Sequence, residues 1–247
     1  MNIIQASLLG IVQGLTEFLP VSSSGHLVLI QKLLPGFSQP GITFDVLLHF
    51  GTLFSVLFYF KSKIFKLSMK YWLFIVIGSI PAFLAGFFFM DVFEEMFKVG
   101  AFLWLEFMVS GIFNLLVDYP VKRNKPLGIT NSFVVGISQA IAIIPAISRS
   151  GATIFTGVRL GIKKEDIAQF SFLLSIPAVL GANVLELVSY RSEINNLFSI
   201  NYFIGFVTAL IVGLISIKIV YKFLEMNKFR YFGYYCIILG FISLILR

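Results

Sequence analysis

Charge is what this 247-residue chain has least of: only 13% of its residues are Asp, Glu, Lys or Arg, about half the roughly 25% of an ordinary soluble domain. With 58% hydrophobic residues and a mean hydropathy of +0.94, the apolar surface exceeds what one core of this size can enclose. This excludes a cytosolic globular protein and requires contact with lipid. Cysteine is nearly absent. Cys236 alone, inside an apolar run, excludes an intramolecular disulfide framework and a CxxC metal or redox site. Histidine occurs only at positions 26 and 49. No Lys or Arg precedes the first apolar stretch, and Glu17 interrupts it where a signal peptide would continue, so no cleaved targeting segment is expected. The net charge of +7 does not point to nucleic acid, because the basic residues sit in short loops between apolar runs and read as a topology signal.

What the chain does have is apolar length. Six segments read as membrane spans, at 46–60, 72–90, 99–117, 170–190, 202–217 and 231–246. Two more, 3–30 and 132–158, are apolar but broken by Pro20-Val-Ser-Ser-Ser-Gly25 and Pro145-Ala-Ile-Ser-Arg-Ser-Gly151. Pro and Gly end helices, serines satisfy the freed backbone, and irregular backbone at membrane depth needs protein or a wet cavity around it. Both broken segments are therefore expected to be re-entrant hairpins. An offset of 126 aligns Gly10-Ile-Val-Gln13 with Gly136-Ile-Ser-Gln139, Ser22-Ser-Ser-Gly25 with Ser148-Arg-Ser-Gly151, and Phe44 with Phe170. The expected fold is thus an all-α integral membrane protein, a single domain over 1–247 made of two repeats, 1–127 and 128–247. Each repeat holds one re-entrant hairpin and three transmembrane helices. An odd number of crossings inverts the second repeat relative to the first.

The charges orient this arrangement. Loops around 61–70, 122–125, 159–164 and 218–230 carry nearly all the Lys and Arg, and the opposite face receives only Lys32, Lys98, Arg191 and Arg247. The basic face is expected to be cytoplasmic, with both termini and the first hairpin outside.

Arg149 is the basic residue deepest in an apolar segment, and Glu17 is its acidic counterpart; such charges are functional candidates by default. The structural alternative for each is a plain buried ion pair or a carboxylate capped by Thr16 and nearby serines. The first hairpin gathers Glu17, Ser22, Ser23, Ser24, Gly25 and His26. Ser offers a nucleophilic hydroxyl, His a general acid or base, and a Gly-containing turn exposes backbone N–H groups to an anion. Arg149 suits phosphate oxygens bidentately. If the two tips meet, a phosphate pocket forms inside an apolar protein.

Gln13-Gly-Leu-Thr-Glu17-Phe-Leu-Pro-Val-Ser-Ser-Ser-Gly-His26 resembles the first signature of the bacterial undecaprenyl-diphosphate phosphatase, or bacitracin-resistance, family. Pro145-Ala-Ile-Ser-Arg-Ser-Gly-Ala-Thr153 resembles the second. The resemblance implies removal of the terminal phosphate of undecaprenyl diphosphate, which recycles the lipid carrier for cell-wall glycans in the bacterial plasma (inner) membrane. It also implies a divalent cation, Mg²⁺ or Ca²⁺, and a polyprenyl diphosphate partner; homodimerisation is left open. By position, Glu17, Ser23, His26 and Arg149 match the family's catalytic residues. Ser22, Ser24, Ser150, Gly151 and Thr153 match its pocket, with Gly25 and Ser148 in the same turns. Glu17 and Gln13 would be the metal ligands. The family allows Glu or Gln at position 13, and with Gln here a two-carboxylate i,i+4 metal site is not available; an amide oxygen ligates a hard cation with less charge. Ala146 stands where Gly is frequent, a tolerated variation of the turn.

In the mechanism these residues suggest, Ser23 or a water activated through His26 attacks the terminal phosphorus while Arg149 and the cation neutralise it. Glu17 holds the metal or orients His26. The rival is a lipid-phosphate transporter or flippase, an architecture that also uses broken helices and inverted repeats. His49, Glu106, Glu186, Asn114 and Asn183 are read as interhelical hydrogen-bonding groups. The aromatic excess reads as lipid contact, part of it lining a groove for the prenyl chain.

Overall fold

The computed structural model describes residues 1–35, 37, 42–99, 103–122, 125–144, 147–189 and 199–245, with backbone alone over 42–43, 90–99 and 186–189. Among them there are ten helices and no strand. The Pro145–Ala146 turn, Arg123, Arg191 and Arg247 lie outside the described residues, as do the side chains of Glu94, Lys98 and Glu186.

Each broken segment is a pair of helices. The first pair is α1 (Ile3–Phe18) and α2 (Ser23–Leu33). Asn2 and Gln5 open α1 with a reciprocal capping box, and α1 stops just before Pro20. Later in the chain come α6 (Ile129–Ile141) and α7 (Arg149–Arg159). The two tips repeat one capping device. The Ser22 side chain accepts the Gly25 N–H at 3.3 Å, and the Ser148 side chain accepts the Gly151 N–H at 3.2 Å. A second serine stands near each cap, Ser24 Oγ at 3.5 Å from Ser22 Oγ and Ser150 Oγ at 3.3 Å from Ser148 Oγ. Ser22 holds this cap at a φ of 71°, a left-handed conformation that a residue with a Cβ adopts only when its surroundings impose it.

The remaining helices are α3 (Ile42–Ile64), α4 (Met69–Val99), α5 (Leu103–Val117), α8 (Lys164–Ser189), α9 (Ile200–Glu225) and α10 (Arg230–Ile245). Of the six expected spans, those on α3, α4, α8 and α9 are long and apolar enough to cross a membrane. The other two fall on α5 and α10, apolar helices of 15 and 16 residues. At about 1.5 Å per residue these reach about 22–24 Å, short of a hydrocarbon core of about 30 Å. Helix α4 runs through Pro81 and kinks at Phe89, where φ is −124° and ψ 18°.

Helix α1 packs along α9 as α6 packs along α4, while α5 pairs with α10 and α3 with α8. This pairing maps onto itself when the first five helices are exchanged for the last five. Both hairpin contacts are backbone-close. A Cβ on Gly10 would lie 2.6 Å from the Gly205 carbonyl oxygen, and one on Gly136 would run into the Gly78 backbone. Small residues permit such approaches in apolar surroundings, where packing and not water exclusion drives helix association.

The main apolar cluster joins the first hairpin to the later helices, with Phe18, Phe60, Phe172, Ile217 and Val220 buried together and the Phe18 and Phe172 rings edge-on at 5.5 Å. The outside is equally apolar: Phe83, Phe87 and Phe88 on α4 are 66–68% exposed. Buried Lys164 at the start of α8 pairs with Asp118, donates to Asn227 Oδ1 at 3.0 Å, and so ties the end of α5 to the α9–α10 turn. Asp118 also accepts the Arg230 N–H at 2.9 Å.

Candidate active site at the meeting of the two broken helices

Glu17 occupies the last turn of α1, Ser23 the first position of α2 and Arg149 the first position of α7. The tips meet through these three. An Arg149 guanidinium nitrogen bonds Glu17 Oε1, and Ser23 Oγ donates to Glu17 Oε2 at 2.8 Å. Glu17 is 8% exposed and Arg149 16%, so the pair is held largely away from solvent and from the apolar exterior alike. The other terminal nitrogen of Arg149, Nη1, is buried without a hydrogen-bond partner. A guanidinium with one arm on an internal carboxylate and one arm unused is suited to grip an incoming oxyanion. Both α2 and α7 begin at this point, so two helix N-termini, the positive ends of their dipoles, lie beside it.

Helix α5 supports both tips. Its Asn114 side chain donates to the Pro20 carbonyl, its Ser110 hydroxyl accepts the Ser148 N–H at 2.8 Å, and a Cβ on Gly151 would stand 3.1 Å from Asn114 Oδ1. Asn114 thus bonds a carbonyl of the turn between α1 and α2 instead of a Ser, Asn or Tyr side chain on a neighbouring helix, and Gly151 leaves room for it. Ser150 and Thr153 turn inward. The Thr153 hydroxyl bonds the Arg149 carbonyl at 2.8 Å and Ser171 Oγ on α8 at 2.7 Å, so it fixes the first turn of α7. Thr16 caps nothing at Glu17; it bonds the Val12 carbonyl of its own helix.

Both ring nitrogens of His26 bond outside this cluster. Its Nδ1 lies 2.6 Å from the Ser22 carbonyl and its Nε2 2.7 Å from the Tyr235 hydroxyl on α10. The carbonyl can only accept, so Nδ1 carries a proton and Nε2 receives the tyrosine O–H. The imidazole stacks on Tyr235 at 5.6 Å and meets Phe107 edge-on at 5.3 Å. Both ring nitrogens are engaged away from Glu17.

The imidazole nearest the carboxylate is instead His49 on α3, with Nε2 3.8 Å from Glu17 Oε2. Gln13, fully buried, donates through Nε2 to Glu17 Oε2 at 3.1 Å and to Thr52 Oγ1 at 3.4 Å, and its Oε1 has no partner. Among the described residues no three His, Cys, Asp or Glu side chains converge. An amide oxygen left over beside a carboxylate is nonetheless a donor set of the kind a hard divalent cation takes. His49, Thr52 and Tyr235 were not legible as site residues. The signal for His49 was its rarity in a chain with two histidines, and for Tyr235 there was none within the aromatic excess.

An arginine, a carboxylate and a hydroxyl are thus brought together by two broken helices inside an apolar helical bundle with four helices long and apolar enough to cross a membrane. The chain matches the family described as bacitracin resistance protein BacA over residues 6–242 and belongs to it. It is 42% identical over its full length to the undecaprenyl-diphosphatase of Carboxydothermus hydrogenoformans, covering 98% of that protein. It is 38% identical over its full length to undecaprenyl-diphosphatase 4 of Bacillus thuringiensis, again covering 98%. With the undecaprenyl-diphosphatase of Methanococcus vannielii it shares 37% identity over 93% of this chain and 94% of the other.

Proposed function

We propose that this protein hydrolyses undecaprenyl diphosphate to undecaprenyl phosphate and inorganic phosphate. Family membership and the names of full-length relatives support this reading, and the observation that carries it is the Arg149–Glu17–Ser23 cluster between the hairpin tips. Arg149 already has an arm free for a phosphate oxygen, and the Ser23 hydroxyl already has an acceptor for its proton in Glu17. In this reading Glu17 takes the proton from Ser23, or from a water in its place, and the oxygen attacks the terminal phosphorus. The bond to the bridging oxygen breaks and the prenyl phosphate leaves, while Arg149 bears on the developing charge; attack by water gives inorganic phosphate directly, whereas a phosphoserine at Ser23 is hydrolysed by a second water that restores the hydroxyl and releases inorganic phosphate. Bound by Glu17 and Gln13, a divalent cation would supply Lewis-acid neutralisation of the phosphate oxygens. Phosphate-binding roles for Ser22, Ser24, Gly25, Ser148, Ser150 and Gly151 belong to the same proposal, acting through the capped first turns of α2 and α7. His26 stands one hydrogen bond from Tyr235 and serves the reaction only once that bond opens.

The finer architecture is also proposed: two inverted repeats, 1–127 and 128–247, each with a re-entrant hairpin, in a plasma membrane with the basic face cytoplasmic and the site opening outward. The repeated serine caps and the self-mapping helix pairs support it. The test is phosphate release by purified protein from a long-chain prenyl diphosphate in detergent with Mg²⁺ or Ca²⁺. If no phosphate appears, yet the protein moves a prenyl phosphate between the leaflets of liposomes, the transporter reading replaces this one.

A further inference from the structure

We propose that His49 is a ligand of the divalent cation, completing with Glu17 and Gln13 a mixed imidazole, carboxylate and amide site; this rests on the cation dependence proposed above. The His49 Nδ1 lies 2.8 Å from the Asp45 carbonyl oxygen one turn earlier on α3. The carbonyl accepts, so Nδ1 bears the proton and Nε2 bears the lone pair in the neutral ring. This is the arrangement of metal-bound histidines, whose second nitrogen is almost always oriented by a carbonyl or carboxylate. The Nε2 lone pair then faces Glu17 Oε2 at 3.8 Å. Two electron-rich atoms are stable face to face only with a positive charge between them, and 3.8 Å is within reach of one ion bonded to each at about 2.0–2.2 Å.

Gln13 offers a third donor atom beside this pair. Its Oε1 is buried without a partner. The Gln13 amide sits 3.1 Å from the same Glu17 oxygen, and turning it by 180° exchanges its nitrogen for its oxygen. A cation at Oε2 then takes the imidazole nitrogen, the carboxylate oxygen and the amide oxygen as donors, with the amide nitrogen in the place the oxygen held. Arg149 holds the opposite oxygen, Oε1, so the two positive groups do not compete for one atom. An imidazole nitrogen also makes the site more favourable to first-row transition ions such as Zn²⁺, and to a lesser degree Mn²⁺, than an all-oxygen set would be.

The experiment uses the full chain in detergent and Mn²⁺ as probe, with free ion counted by electron paramagnetic resonance and bound ion examined for nitrogen modulation by pulsed methods. The parent and His26→Gln should show imidazole nitrogen coupled to Mn²⁺, and His49→Gln should lose it. The affinity of His49→Gln for Mn²⁺ should fall about tenfold or more, while Mg²⁺ competition changes by no more than about threefold. Adding free imidazole to His49→Ala should restore the nitrogen signal, which an unfolded variant could not do. Unchanged nitrogen modulation in His49→Gln overturns the assignment and leaves the cation proposal standing if Glu17→Gln weakens binding. A parent that binds no Mn²⁺ overturns both.

Discussion

Arg149 joins the two hairpin tips through Glu17, and in the function proposed above its planar fork would let it serve Glu17 and a phosphate in turn. Arg149→Lys keeps the charge but offers a single flexible ammonium. Phosphate release should fall on the order of 100-fold, as for a catalytic clamp displaced by about 1 Å, in a steady-state assay at saturating lipid. A loss of only a few-fold would reduce Arg149 to a counter-charge. His26 makes a different prediction, because Tyr235 occupies its lone-pair nitrogen. Tyr235→Phe keeps the stacked ring and removes the hydroxyl. Carbethoxylation at His26, mapped by mass spectrometry with His49 as internal reference, should then run several-fold faster; an unchanged rate would show that the hydroxyl does not cover Nε2. At this scale the sequence was legible where chemistry is local. Arg149 and Glu17 stood out because a charge in an apolar run demands a partner, and the serines because a cap is set by residues three apart. His49 meets Glu17 across 32 positions of chain and Tyr235 meets His26 across 209, contacts that arise only from how α3 and α10 pack.

At the scale of the helix, the hairpins are seated by glycines. A Cβ at Gly136 has nowhere to go against the Gly78 backbone, whereas one at Gly86, on the same partner helix α4, meets nothing within 4 Å. Gly136→Ala should therefore lower the thermal midpoint in detergent by roughly 2–12 °C, from an overpacking cost of about 1–3 kcal/mol spread over a chain of this size. Gly86→Ala should leave the midpoint unchanged or raise it slightly, because alanine is the better helix former. Equal effects would deny the close crossing of α4 and α6. The helices themselves followed from apolar run length and from the Pro and Gly breaks. The length of α10 was legible too, because the apolar run at 231–246 is itself only 16 residues long.

For the whole molecule, the distribution of Lys and Arg predicts the sidedness. Cys236 is fully buried, so the native chain offers an impermeant thiol reagent no competing target. Single cysteines placed at 61–70 should be protected in intact cells, and cysteines at position 94 or 191 should be labelled. The reverse pattern would invert the topology and turn the first hairpin inward. The proposed duplication rests, in sequence, on the offset of 126 between motifs; the exchange of helix partners that supports it lies in tertiary contacts that no single segment carries.

The Glu17–Arg149 pair has a consequence for turnover. In the proposed reaction the cleaved phosphate would have to leave the Arg149 guanidinium inside a poorly hydrated site, where an unopposed charge would hold it fast. Glu17 is tethered within reach of that guanidinium and can reclaim it, so the resting ion pair competes with the product for its own binding site. Inorganic phosphate should consequently be a weak inhibitor of the parent, and Glu17→Gln, whatever activity it retains, should bind phosphate more tightly by equilibrium titration. The carboxylate that readies the nucleophile would in this way also clear the site for the next lipid.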